Sequence, residues 1–230
     1  MVYFKTKNPA FTNEVLEKAE QYRQSIEKKW KSPRHFNWPW SKKRYQIYLF
    51  ENQKAYQKAA KRPIWSKASA TYGPEKVILG FQRSESFLDS ELPHEIAHIV
   101  FREMLGAESR SVPLWVDEGV ALLEERSGKN KLDQVLLDAV KSNRWIPLSR
   151  LNQVHDMRKM SMKSATLFYA ESKSLVGYLY KRFGREAFIR FCLCLRDGKS
   201  LGEALEKAFG ASYSRPGFLE REWLSYIQRI

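Results

Sequence analysis

Cysteine and long apolar runs are both scarce in this sequence. Its 230 residues include only two cysteines, Cys192 and Cys194, which are separated by one position. On a helix these two side chains point to different faces, so the sequence predicts buried thiols and no disulfide framework. No apolar run is long enough to span a bilayer. The first residues lack the apolar core of a signal peptide; an exported protein whose leader had been removed would look the same, so the compartment stays open.

Acidic residues are also under-represented. The chain has 26 Asp and Glu against 40 Lys and Arg, which gives a formal net charge of +14. Such a charge attracts anionic partners, such as nucleic acid, anionic lipid or cell-wall polymers. The basic residues are scattered through every segment, however, and this favours a solvated basic surface over a dedicated binding face. The sequence gives no indication of the oligomeric state.

Only four histidines occur in the chain, and two of them stand four residues apart. His94 and His98 are the ends of the segment His-Glu-Ile-Ala-His, inside an apolar stretch that predicts a buried helix. Residues i and i+4 share one face of a helix, so both imidazoles can bind one metal ion. Glu95 is offset from that face, close enough to reach a water on the metal. This arrangement is the zinc-hydrolase signature, with the Glu as general base.

A third metal ligand is expected on the helix that follows. Structural zinc sites have four protein ligands, typically including Cys, whereas catalytic sites have three and an open position. Glu118 is the candidate, because Val116 and Val120 flank it with apolar side chains and Gly119 leaves room beside it. The alternative for Glu118 is an ordinary solvated helix carboxylate, and the same interpretation is open for its neighbours Asp117, Glu124 and Glu125. Pro113 and Gly128 are predicted to mark the start and the end of this helix.

These motifs resemble those of a known family. His94-Glu95-x-x-His98, followed by Trp-Val-Asp-Glu-Gly-x-Ala at 115–121, is similar to the gluzincin metallopeptidases, specifically the peptidase MA-like domains. The resemblance implies that Glu118 is the third zinc ligand, that the cofactor is Zn2+ and that peptides or proteins are the substrates. Pro93, directly before the first His, departs from the expected pattern and predicts a helix start near Ser90.

The order of predicted elements extends the resemblance over most of the chain. A helix from Thr12 to Trp30 precedes a strand at 44–50, a helix at 51–61 and a hairpin with strands at 67–72 and 75–81. Helices alone follow, at 132–140, 164–183, 185–195, 201–209 and 216–230. We therefore predict one catalytic domain over 1–230 with a zincin-like α+β fold. Its α/β lobe, at about 1–110, carries a small mixed sheet and the active-site helix. The lobe at about 111–230 is all-helical.

The resemblance also suggests how such a site would work. Glu95 would take the proton of the attacking water and pass it to the leaving amine. A second donor to the oxyanion is often a Tyr in gluzincins, and Tyr169, in the family-like stretch 169–172, is the candidate; a role in helix packing fits it equally well. Asp117 could instead hold a ligand His through its second ring nitrogen.

Two further surfaces have possible partners. The edge strand of the hairpin, 67–72, could accept a peptide substrate through backbone hydrogen bonds. The Pro-punctuated loop at 31–43 mixes aromatic and basic residues, which could stack on nucleic acid, although packing of Trp38 and Trp40 onto the core is favoured. The alternative to a peptidase is a catalytically silent zinc-binding or polyanion-binding module on the same fold.

Overall fold

The chain forms two compact units, and neither is a continuous segment. A computed structural model describes residues 2–4, 9–30, 45–61, 66–71, 76–81, 86–106, 111–126 and 129–229. The first unit comprises Met1–Met104 and Glu124–Ser127, and the second comprises Leu105–Leu123 and Gly128–Ile230. The loop predicted at 31–43 and the turn predicted at 73–74 lie outside the described residues.

The first unit contains the four strands that the structure describes. Its elements in chain order are β1 (Val2–Phe4), α1 (Pro9–Trp30), β2 (Gln46–Phe50), α2 (Gln53–Ala60), β3 (Ser69–Thr71), β4 (Val77–Phe81), a π-helical turn (Phe87–Glu91) and α3 (Leu92–Leu105). The strands form one sheet in the order β1-β2-β4-β3. β1 and β4 are both parallel to β2, whereas β3 is antiparallel to β4. The predicted small mixed sheet is confirmed, and so is β3 as an edge strand; β1 was not predicted.

α1 buries the apolar stripe that the sequence predicts. Val15, Tyr22, Ile26 and Trp30 are each no more than 2% exposed. Their spacing of three to four residues puts them on one helix face. The helix begins at Pro9 and not at Thr12, because a proline, with φ already helical and no N–H to satisfy, fits a first helical position.

The backbone entering α3 is helical earlier than expected. The sequence predicts that this helix starts near Ser90. In the structure a π-helical turn begins at Phe87 and continues directly into α3. Leu92 N–H donates to the carbonyl of Phe87, five residues before it. The Phe87 ring is fully buried and packs over Gly80, where a Cβ would lie 2.4 Å from a ring carbon. Gly80 in β4 therefore makes the room in which this turn is anchored.

All the regular elements described in the second unit are helices. Its elements are α4 (Leu114–Leu122), α5 (Lys129–Lys141), α6 (Leu148–Leu151), α7 (Met162–Arg196), α8 (Leu201–Phe209), a 3-10 turn (Ala211–Ser214) and α9 (Pro216–Ile227). The bounds predicted for α8 are confirmed residue for residue. α7 is broken where the sequence indicates, at Gly184, whose φ of 78° is a left-handed value that favours glycine. The α+β fold with a helical C-terminal part is thus confirmed.

Two features expected from the composition concern the cysteines and the length of the apolar helices. Cys192 and Cys194 are free and buried in α7, as predicted. Among the residues that the structure describes, none of the helices combines the length and the apolar character that crossing a bilayer would need.

Candidate metal site

α3 places its polar residues within an otherwise apolar helix. Leu92, Ile96, Ala97, Ile99 and Val100 are each at most 1% exposed, so the helix is surrounded by core on most sides. His98 is 5% exposed and Glu95 is 7% exposed. Burying imidazole and carboxylate groups is costly unless they are bonded or bind a metal. The prediction of a buried helix that carries this motif is confirmed.

His94 and His98 face one another across one turn of α3. Their Nε2 atoms are 3.1 Å apart, and their rings meet edge to face, with centroids separated by 4.7 Å and planes inclined by 78°. Two nitrogens bound to one tetrahedral zinc at about 2.0–2.1 Å would stand about 3.3 Å apart. The spacing of the two Nε2 atoms therefore fits simultaneous binding of a zinc ion.

The other nitrogen of His94 is hydrogen-bonded to a carboxylate. Its Nδ1 lies 2.8 Å from Oε1 of Glu125, and Ser90 Oγ donates to Oε2 of the same carboxylate over 3.0 Å. The His94 side chain is 14% exposed and that of Glu125 is 20% exposed. Both oxygens of Glu125 are thus engaged by groups at the start of α3 and in the turn before it.

Glu125 belongs to a short segment that is bonded on both sides of this residue. Lys29 Nζ and Trp30 Nε1 donate to Glu124 Oε1 over 2.6 and 2.7 Å. The Arg126 N–H donates to the carbonyl of Asp89 over 2.7 Å, and its guanidinium lies 4.8 Å from the centre of the Tyr22 ring. We call residues 124–126 the clamp segment.

The clamp segment corrects two predictions. The helix carrying Glu118 was expected to continue to Gly128, but α4 ends at Leu122, and the contacts just described hold the chain in a different path. Glu124 and Glu125 are consequently not solvated helix carboxylates. The surface role considered for Asp117 is also wrong, because Asp117 is only 5% exposed.

Glu118 lies in the middle of α4, in the second unit. The residues around it are core: Val116 and Val120 are fully buried, while Glu118 itself is partly exposed. Gly119 brings α4 against α7, since a Cβ on Gly119 would lie 2.4 Å from the carbonyl oxygen of Ser172. The space that the missing side chain of Gly119 leaves is thus occupied by α7.

His94, His98 and Glu118 form a group of three side chains that could hold a metal ion. Two imidazoles and one carboxylate are a donor set that suits zinc, and three protein donors leave a coordination position open. The donor atoms and the separation of the two imidazole nitrogens therefore both fit a zinc ion.

Tyr169 lies on α7, in the second unit, and is partly exposed. Its ring meets that of Phe168 edge to face, with centroids 6.2 Å apart.

Two residues further on, Glu171 is fully buried and accepts a hydrogen bond of 2.7 Å from the Ile146 N–H. Burial raises the pKa of Glu171 to about 8, more than the Ile146 bond lowers it. This carboxyl is therefore predominantly protonated at neutral pH.

The sequence reasoning missed Glu125 as part of the site. A carboxylate following an apolar helix carries no periodic signal of its own, and its partners lie 31 and 35 positions away. Pro93 is the residue that could have indicated a contact at the start of α3. It has no N–H for the carbonyl four residues earlier, and that carbonyl, on Asp89, accepts the bond from Arg126.

A family model described as the peptidase MA superfamily matches residues 40–229. This match includes α3, α4 and all the later helices, and so contains every candidate ligand. Among curated proteins, the comparison finds no match.

Proposed function

Because the chain belongs to the peptidase MA superfamily, we propose that it is a zinc-dependent metallopeptidase whose ion is held by His94, His98 and Glu118. The observation that carries this proposal is the pair of imidazoles on α3, whose Nε2 atoms are 3.1 Å apart. Neutral imidazoles held at that separation are ready to share one metal ion. Glu118 completes a donor set of the catalytic type, with three protein ligands.

Glu95 is the general base in this proposal. When bound, zinc supplies Lewis-acid activation of water and of the scissile carbonyl. The Glu95 carboxylate takes the proton from the attacking water and delivers it to the nitrogen of the leaving amine. Its neighbours support this role: Ile96 and Ala97 are fully buried, and Glu95 is itself only 7% exposed. Limited access of bulk water strengthens interactions between charged groups at such a position.

Tyr169 is the proposed second donor to the oxyanion. Its hydroxyl would donate a hydrogen bond to the oxygen on which negative charge develops as the carbonyl is attacked. Its partial exposure supports this role over that of a core residue, since Phe168 and Ala170 beside it are at most 2% exposed.

The substrate we propose is a peptide bound in an extended conformation. β3 is the edge strand of the described sheet, with β4 as its one neighbour. A peptide that adds to β3 through backbone hydrogen bonds would be recognised largely independently of its side chains. This mode of binding predicts broad cleavage specificity.

Metal analysis together with a peptide-library digest tests the proposal. We expect about one zinc per chain and cleavage that a chelator abolishes and added zinc restores. The alternative, a catalytically silent zinc-binding module, would bind zinc and leave every peptide intact. A polyanion-binding module would instead bind nucleic acid or anionic vesicles with an affinity that falls steeply with salt. Zinc binding without any cleavage, or polyanion binding without zinc-dependent cleavage, would overturn the peptidase.

A further inference from the structure

We infer that Glu125 is a positioning residue, which fixes the ring orientation and the tautomer of His94 so that its Nε2 lone pair is presented to the metal. This inference rests on the proposed function, because it concerns the affinity of the same site. It assigns a role to a carboxylate that lies outside the His-Glu-x-x-His motif and outside the helix that carries Glu118.

The hydrogen bond between Glu125 and His94 has one possible direction. A carboxylate can only accept, so at the 2.8 Å contact Nδ1 of His94 must carry the hydrogen. In a neutral imidazole with Nδ1 protonated, Nε2 has the free lone pair. Nε2 of His94 is the atom that faces His98 Nε2 at 3.1 Å. The Glu125 bond therefore selects the tautomer that can ligate a metal at this position.

Glu125 is itself held in place. Ser90 Oγ donates to its other oxygen over 3.0 Å, so the carboxylate cannot rotate without losing a bond. On one side, Glu124 is fixed by Lys29 and Trp30. On the other side, the backbone N–H of Arg126 is bonded to Asp89.

The clamp segment can reach the start of α3 because Pro93 leaves a backbone acceptor available there. Within a regular helix, the N–H of residue 93 would donate to the carbonyl of Asp89, but Pro93 has no N–H. The Asp89 carbonyl instead accepts the bond from Arg126, over 2.7 Å. Pro93 thus leaves an acceptor available for the residue next to Glu125, and this brings the carboxylate within reach of His94.

Hydrogen bonds to the second nitrogen of a ligand His typically change metal affinity by about 10- to 100-fold when they are removed. We therefore expect Glu125→Ala to weaken zinc binding by about that factor. Glu125→Gln, which keeps an acceptor oxygen and loses the charge, should show a smaller loss. The matched control is Glu124→Ala, which alters the adjacent carboxylate of the same segment and should leave zinc affinity within about twofold, since the Glu124 carboxylate bonds to Lys29 and Trp30 of α1.

The readout that does not depend on metal is the tautomer of His94 in the zinc-free protein. The chain has four histidines, so ¹⁵N-labelled histidine in a His35→Gln, His155→Gln background gives ring signals from His94 and His98 alone. At about pH 8, above the usual His pKa of about 6.5, wild type and Glu124→Ala should show His94 protonated at Nδ1. Glu125→Ala should shift the proton toward Nε2.

The outcomes separate the two proposals. An unchanged His94 tautomer and unchanged zinc affinity in both Glu125 variants would overturn the positioning role, even if the protein cleaves peptides. A shifted tautomer with weakened zinc binding supports the role, even if no peptide is cleaved and the proposed function fails. Should Glu125→Ala not fold, as judged by circular dichroism, the same two measurements on Glu125→Leu, whose larger side chain also has no oxygen to accept the bond, decide in the same way.

Discussion

Gly119 and Ser172 are in such close approach that no side chain fits between them. A Cβ on Gly119 would lie 2.4 Å from the Ser172 carbonyl oxygen and 2.4 Å from a methyl carbon of Val176. The backbone oxygen cannot give way as the end of a flexible side chain could. We expect Gly119→Ala to lower the free energy of unfolding by about 1–3 kcal/mol, as overpacking does in well-packed cores. Chemical denaturation measures this.

Gly177 provides the control for that substitution. It lies on α7, and a Cβ there would meet only Leu123 at 3.5 Å, an ordinary contact. Gly177→Ala should therefore raise the free energy of unfolding by about 0.5–1 kcal/mol, through the better helix propensity of alanine. If the two variants had the same stability, close packing of α4 on α7 would not be what requires Gly119.

Zinc binding should depend on His98. Replacing it by alanine removes one of the proposed ligands, and metal analysis of the purified variant should find well below one zinc per chain. His155→Ala is the control, because His155 is exposed in the described structure and far along the chain from the motif. Full zinc retention by a folded His98→Ala variant would place the metal elsewhere.

Peptide cleavage should depend on Glu95, whereas zinc binding should not. Glu95→Gln keeps the size of the side chain but removes the group that accepts the proton. Peptide cleavage should fall by about 10²–10⁴-fold, the usual contribution of a general base, while the zinc content stays the same. Glu103→Gln alters another carboxylate of α3, one that accepts from Tyr45, and should keep the wild-type rate. Equal rates for Glu95→Gln and wild type would remove Glu95 from the mechanism.

Tyr169→Phe tests the second oxyanion donor. If the hydroxyl stabilises the transition state, kcat should fall by about 10²–10³-fold, and KM should change little because the bond strengthens only in the transition state. Tyr180→Phe removes a hydroxyl three turns further along α7 and should leave both constants near wild type. Loss of activity in both variants would point to a structural effect on the helix instead.

The buried carboxyl of Glu171 should make the free energy of unfolding depend on pH. Burial raises its pKa to about 8 in the folded protein, from an ordinary Glu value of 4.5. A raised folded pKa means that the native state holds the proton more tightly than the unfolded chain does. This contribution to stability is complete below about pH 4.5 and is lost as the pH rises through about 8.

Glu171→Gln should remove that dependence and retain the acceptor oxygen for Ile146. Denaturation of the variant and of wild type between about pH 5 and pH 9 should show wild type losing stability relative to the variant as the pH rises. Glu206→Gln, at an exposed position of α8, should follow wild type. Parallel curves for wild type and Glu171→Gln would show that the carboxyl is not buried in its neutral form.

The fold could be predicted where neighbouring residues decide it. α8 has a Ser at its N-cap and a capping box closed by Glu203, and Gly210 follows it, so both ends are encoded locally. β1 could not be predicted in this way. It is three residues long, and its pairing of Val2 with Ile47 joins positions far apart in sequence, which no periodicity reveals.

The same distinction holds for the candidate site. His94, Glu95 and His98 are related by the pitch of one helix, so their spacing alone predicts a shared face. Glu125 acquires its place only through folding, because its partners, Ser90 and His94, belong to another element. In the sequence it cannot be distinguished from Glu124, which bonds to α1 instead.

The division of the chain into units has a consequence for modular exchange. The first unit is left at Met104, re-entered at Glu124 and left again after Ser127. A fragment that stops at about residue 110 would keep α3 and lose the carboxylate to which His94 is bonded. No recombination point placed between α3 and α4 can therefore transfer this helix together with its support. A chimaera that inherits the motif would also have to inherit the four residues that return to it.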